Sequence, residues 1–264
     1  MRFQQSTLKI VSECVSLARL PFKKKQGLRI FTYHSIGSSA YGDYSGLNTA
    51  SIQSFTQQMD VVASMQSVML NKLIIPQSDL TISVTFDDGY ADNLYVAAPL
   101  LAARKIPYTV FVTTDFVKNK TKGFLTPSEL KQLSVAPGST IGAHSLSHKN
   151  LTLCSNAVLR NELEGSKHYI EDLIGLPVTE FAYPYGLADM RVRDAVKRAG
   201  YKVGVCSHFN INMPGRDALM LNRCVILSSD SIRVFKQKIR GDWDWYSLIS
   251  MDPANNKRRE AELD

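Results

Sequence analysis

Seven short apolar runs rich in β-branched residues recur along the chain, at residues 28–33, 82–86, 108–112, 140–143, 180–183, 202–206 and 221–226. Several are apolar throughout, the pattern of strands buried on both faces. Helical patterns lie between most of them. Residues 51–65 place Ile52, Phe55, Met59 and Val62 on one stripe. Residues 92–104 are rich in Leu and Ala, with Pro99 predicting a kink or break. Thr126-Pro-Ser-Glu129 fits a capping box with proline at the first helical position. Residues 156–174 and 188–199 are further helices, the latter stopped by Gly200. Strands alternating with helices imply parallel βα units in an α/β fold. Seven strands suggest closure into a barrel, although an open doubly wound sheet would produce the same string. In either architecture reactive residues collect at the C-terminal ends of strands.

A chain of 264 residues suits one such domain. We divide it into an N-terminal helical and basic segment (1–27), a main domain (28–240) and a C-terminal tail (241–264). No run approaches the ~20 consecutive apolar residues of a membrane span. The first 20 residues contain no uninterrupted apolar stretch and no small-residue cleavage site, so no secretory signal is expected. The expected location is the cytoplasm or the cytoplasmic face of the membrane. Leu8, Val11 and Val15 fall at helical spacing, and three lysines follow at 23–25. They suit a solvated helix with a basic linker, or an amphipathic segment in peripheral contact with an anionic leaflet. The formal charge of +7 would suit an acidic polymer, a membrane surface or nucleic acid. No nucleic-acid motif accompanies it, and a nucleic-acid partner is not expected. Oligomeric state leaves no mark in the sequence. Cys14, Cys154, Cys206 and Cys224 form no CxxC pair and are expected to be free thiols.

Three clusters carry chemistry. In Ser83-Val-Thr-Phe-Asp-Asp-Gly-Tyr90 an apolar strand runs into two adjacent carboxylates. Gly89 permits a tight turn, and two acids this close need a cation or a shared proton unless one simply caps a helix. In Ile141-Gly-Ala-His-Ser-Leu-Ser-His148 two histidines four apart follow another strand. With Asp88 they would make a two-histidine, one-carboxylate site with open positions, as a catalytic metal requires. In Phe181-Ala-Tyr-Pro-Tyr-Gly186 a rigid turn could aim the Tyr185 backbone N–H at a developing oxyanion, or be only a turn.

Taken in this order, Thr85-Phe-Asp-Asp-Gly89, His144-x3-His148 and Tyr183-Pro-Tyr-Gly186 resemble the motifs of the polysaccharide deacetylases of carbohydrate esterase family 4, the NodB-homology fold. The resemblance spans roughly residues 28–226. It implies a single-domain distorted (β/α)7 barrel. It also implies Asp87 as general base, Asp88, His144 and His148 as ligands of a divalent metal (zinc, with cobalt or nickel as alternatives), and the Tyr185 N–H in the oxyanion hole. The implied reaction removes N-acetyl groups from an N-acetylated oligo- or polysaccharide or a lipid-linked glycan precursor. Rival readings are a deformylase or amidase acting on another C–N bond, and a non-catalytic glycan-binding module. A binder has no use for a base beside a metal.

Two departures from the family pattern matter. The arginine that orients the base in the third motif is replaced by Ala182, so another group must hold Asp87. Arg223 is a candidate for that role or for binding an anionic substrate, and it could equally be a surface or strand-end cation. The late Leu-x-His motif that supplies the general acid is also missing. His34, in Phe31-Thr-Tyr-His-Ser-Ile36, is the expected substitute. This opening resembles the poly-N-acetylglucosamine deacetylase branch, where the motif order is circularly permuted and an early histidine acts as acid. His208 is the runner-up, and His168 is expected on the surface. Trp243 and Trp245 suit either a sugar-stacking face or a core anchor.

Overall fold

The structure, a computed structural model, describes residue 12 and residues 26–40, 43, 45–70 and 79–255. The remainder of the N-terminal segment, with Cys14 and the lysines at 23–25, and the chain end beyond 255 lie outside the described residues. Each apolar run contributes a strand: β1 (Gly27–Tyr33), then β4 (Leu80–Phe86), β5 (Tyr108–Val112), β6 (Ser139–Ala143), β7 (Glu180–Ala182), β8 (Val203–Val205) and β9 (Cys224–Val225). The short β2 (Ser35–Ile36) and β3 (Thr49–Ala50) pair with each other outside this sheet. The seven strands are parallel throughout, in the order β8-β7-β6-β5-β4-β1-β9.

The sheet curls round, and its two ends meet. Leu221, just ahead of β9, donates its N–H to Gly204 O and accepts from Cys206 N–H, both at 2.8 Å. Residues 221–225 therefore bond β8 first and β1 afterwards, which is why β9 is shorter than the apolar run that predicted it. The fold is a distorted (β/α)7 barrel rather than an open sheet.

Alternation along the strands separates two apolar layers. Leu28 and Ile30 of β1 meet Phe111, Ala182, Val203, Val205 and Leu221 inside the curl. Phe31 and Tyr33 face outward with Val84, Phe86 and Tyr108. There they meet α1 (Ile52–Ala63) through Phe55, Met59 and Val62. Ile52, expected on the same stripe, is half exposed and instead lies against Gly37. On β4 the inward positions are polar, Thr81, Ser83 and Thr85, so this strand leads naturally to Asp87 at its end.

The break at Pro99 takes a defined form. A π-helical turn, Asn93–Ala97, precedes α2 (Ala98–Ala103), with the proline in the first turn of α2. Proline has no N–H to close an α-turn and crowds the carbonyl four residues back, so the turn before it widens. A short α3 (Thr114–Lys118) follows β5. The capping box at Thr126 and Glu129 forms as expected and starts α4 (Pro127–Ser134). Next come α5 (Asn156–Ile174), α6 (Met190–Arg198) and α7 (Ile232–Arg240). The sequence patterns did not reveal α3 or α7. For α7 the signals were present: Ser231 caps its start and Gly241 its end. Among the described residues no helix is long and apolar enough to cross a membrane.

Beyond α7 the chain is pinned to the barrel. Arg29, wholly buried on β1, makes a two-pronged ion pair with Asp244 at 2.8 and 3.0 Å. Arg216 holds Asp252 in the same way. Trp243 is buried, with its indole N–H on Gln237, and acts as a core anchor. Cys154, Cys206 and Cys224 are free and buried.

Candidate active site

The ends of β4 and β6 place three of the predicted residues around one point. Asp88 follows β4, His144 follows β6, and His148 lies on the turn after it. The Asp88 Oδ1 stands 3.6 Å from His144 Nε2 and 3.5 Å from His148 Nε2. One ligand atom from each residue falls within a 4.8 Å set. Donors bound at ~2.1 Å around a tetrahedral ion lie ~3.4 Å apart, so the two Asp88–His spacings fit a single cation. The tautomer also fits. His144 Nδ1 lies 2.8 Å from Ala182 O. A carbonyl can only accept, so Nδ1 carries the proton and Nε2 keeps its lone pair for a metal. In His148, burial first and then the neighbouring His144 push the ring pKa down to about 4. That favours the neutral imidazole a metal needs.

Backbone strain gathers here. Of the six non-glycine residues with positive φ among those described, Asp88, Ser145, His148 and Tyr185 belong to this site. A left-handed conformation costs ~1–2 kcal/mol for each such residue and persists only where surroundings enforce it. Gly186, next to Tyr185, has no alternative. A Cβ there would sit 2.1 Å from the Ser207 side chain. The Tyr185 ring is exposed and packs 4.6 Å from the His148 ring, so its turn borders the candidate metal ligands directly.

Asp87 lies on the inner side of the same strand end, almost fully buried. Both of its oxygens are gripped by Arg223, at 2.7 Å each. Burial alone would raise this carboxyl. The Arg223 guanidinium outweighs burial and holds it well below the usual carboxylate range. Arg223 is itself fully buried. It spends its Nε–H on Cys206 O, reaches Thr85 Oγ1, and lies 5.7 Å from the centre of the Phe111 ring. Arg223 therefore supplies the guanidinium that position 182 lacks, and it is neither a surface cation nor free to bind an anion.

His34 follows β1. Its carbonyl accepts from Asn93 Nδ2, and its ring Nδ1 is buried without a hydrogen-bond partner among the described residues. It is an electrostatic neighbour of both Asp87 and His148. His208 faces elsewhere. Its Nδ1 meets Ser250 Oγ, and its electrostatic neighbours are Asp252 and Arg216. His168 is exposed on α5. Two residues that sequence reasoning passed over hold the loops. Asp92 takes the hydroxyls of Ser35 and Ser38 beyond His34. Glu162 takes the turn between the two metal-ligand candidates. Both are buried acids in helical segments, and only the fold reveals what they touch.

A parallel barrel with a histidine–carboxylate triad at its strand ends, beside a second carboxylate in an arginine grip, suits metal-assisted hydrolysis. Residues 75–204 match the family model for polysaccharide deacetylase, so this part of the chain is a polysaccharide deacetylase domain. His34 and Arg223, the candidate substitutes for the family's usual acid and base-orienting arginine, lie on either side of the matched stretch, and Ala182 lies within it. Peptidoglycan-N-acetylmuramic acid deacetylase PdaA of Bacillus subtilis is 31% identical over 125 residues, covering 46% of this chain and 44% of that protein. The chain spans less than half the length of the curated relatives it matches. Among solved structures, the polysaccharide deacetylase BC0361 from Bacillus cereus is 25% identical, with a TM-score of 0.72 over 81% of this chain and 69% of that one. The Streptococcus pyogenes deacetylase PplD shares the fold at a TM-score of 0.71 and 24% identity, over 81% of this chain and 98% of that one.

Proposed function

We propose that this protein is a metal-dependent deacetylase that hydrolyses N-acetyl groups on an N-acetylated sugar within a polysaccharide or glycan precursor. The observation that carries this reading is the convergence of Asp88, His144 and His148 beside an arginine-clamped Asp87. Asp88, His144 and His148 would hold a divalent ion, with zinc the first candidate and cobalt or nickel next. That ion would acidify a bound water and polarise the acyl carbonyl, which a base as weak as the Arg223-paired Asp87 requires. Asp87 accepts the proton from the attacking water on a carboxylate oxygen. Arg223 keeps that carboxylate ionised and aimed. The Tyr185 backbone N–H donates to the oxyanion as the carbonyl carbon becomes tetrahedral, a contribution of ~3–4 kcal/mol at comparable sites. His34 gives a proton to the departing amine, because a bare amide anion is too basic to leave.

The test is release of acetate from N-acetylglucosamine oligomers and from peptidoglycan fragments, followed by mass. Removing metal with a chelator is expected to abolish release, and one equivalent of divalent ion to restore it. His148→Ala should lose both the ion and turnover. Full activity in the chelated protein would sink the proposal.

His34 has its own discriminating test. We expect His34→Ala to lose ~10²–10⁴-fold on amide substrates. It should lose far less on an activated acetate ester, whose leaving group needs no proton. An unchanged amide rate would remove His34 as the acid.

A further inference from the structure

We propose that Glu162, on α5 outside the barrel, is a positioning residue for the metal centre. Its carboxylate shapes the turn on which His148 is carried. This rests on the metal-site reading above and goes beyond it, since Glu162 is not itself a ligand candidate. Asp88 and His144 each follow directly from a strand of the barrel. His148 does not. It stands five residues past the end of β6, on a turn with two left-handed residues, Ser145 at φ 64° and His148 itself at φ 58°. Such a turn needs outside bonds to hold its shape.

Those bonds divide into two sets. The turn's carbonyls are used by the start of α3: Ser145 O accepts from Thr114 N–H and Leu146 O from Asp115 N–H. Its donors converge on Glu162. Leu146 N–H and Ser147 N–H both reach Oε2, at 3.0 and 2.9 Å, and the Ser147 hydroxyl reaches Oε1 at 2.5 Å. A further turn donor, His148 N–H, goes to Ser145 Oγ. Glu162 is about 1% exposed. Its cationic neighbour, Lys149, is 3.5 Å away with a well-exposed side chain, which screens its contribution. A buried carboxylate at such a place is stabilised chiefly by these loop donors. Without it, two backbone N–H groups lose their acceptor, and His148 can leave the position in which its Nε2 meets Asp88.

The experiment measures metal affinity directly, by equilibrium dialysis of Zn²⁺ and by the ligand-field absorbance of Co²⁺ on metal-stripped protein. Glu162→Ala is expected to weaken binding ~10–100-fold, the usual effect of losing a group that orients a metal ligand. Glu162→Gln should stay within ~3-fold of wild type. Its amide oxygen can accept both backbone N–H groups while its NH₂ donates to Ser147 Oγ. Should Glu162→Ala fail to fold, Glu162→Asp keeps the charge but shortens the reach by one methylene, and is expected to weaken binding as well. Ser155→Ala serves as the control. It removes the N-cap of the same helix, and should lower the melting temperature while leaving metal affinity unchanged. Wild-type affinity in Glu162→Ala, or in Glu162→Asp if the alanine variant does not fold, would overturn the inference. Equal loss in Glu162→Gln and Glu162→Ala would overturn it too. If wild type itself bound neither Zn²⁺ nor Co²⁺, the metal-site reading would fail instead.

Discussion

Asp87→Asn should lower amide turnover ~10²–10⁴-fold while leaving the bound ion in place. Asparagine keeps the shape of the carboxylate but cannot take a proton from water at neutral pH. Metal binding should survive, because the candidate ligands Asp88, His144 and His148 are untouched. The substitution also has a structural cost. Arg223 has no exposure to solvent, and the amide offers it one acceptor where it had two. Removing one partner of a buried ion pair typically costs ~3–5 kcal/mol, and a retained amide oxygen should place this variant near the lower end. Urea unfolding, ion content and turnover measured on one preparation separate the effects. A folded, metal-loaded Asp87→Asn protein with near-normal turnover would remove Asp87 as the base.

The converse substitution acts on both stability and chemistry. Arg223→Met leaves Asp87 buried with no cation against it and should cost ~3–5 kcal/mol of folding free energy. Turnover should fall as well, because a misaimed base loses much of its effect even at ~1 Å of displacement. Arg223→Lys is not expected to rescue either property. The native contact is a two-pronged fork at 2.7 Å on each oxygen, and an ammonium cannot reproduce it. In the double variant Asp87→Asn/Arg223→Met the uncompensated charges are both gone. Most of the stability should return although turnover does not. Additive losses in that cycle would mean that the two residues do not depend on each other.

Several features were legible before any coordinates. Strands buried on both faces leave long apolar runs, so all seven could be found. The pairs Asp87–Asp88 and His144–His148 were visible because each lies within a few residues at the end of such a run. Local chemistry of this kind, a cap, a turn or two ligands on one loop, is written in adjacent residues.

The partners of those residues were not legible, since each depends on how the barrel closes. Arg223 lies 136 positions from Asp87. In the sequence it is a cation within an apolar run, which says that it must be paired when buried but not with what. Glu162 and Asp92 look like ordinary helix acids until the packing of helix on strand sets them beneath the histidine loops. His34 and His208 both follow strands, and only the direction each ring takes separates them. The sequence by itself determined the strands, the helices with clear caps, and which residues could bind metal or move a proton. The tertiary structure decided whether the sheet closed, which arginine grips Asp87, and which histidine lies near it. Periodicity and capping act over a few residues, whereas pairing across a closed barrel depends on register and side-chain direction accumulated along the whole chain.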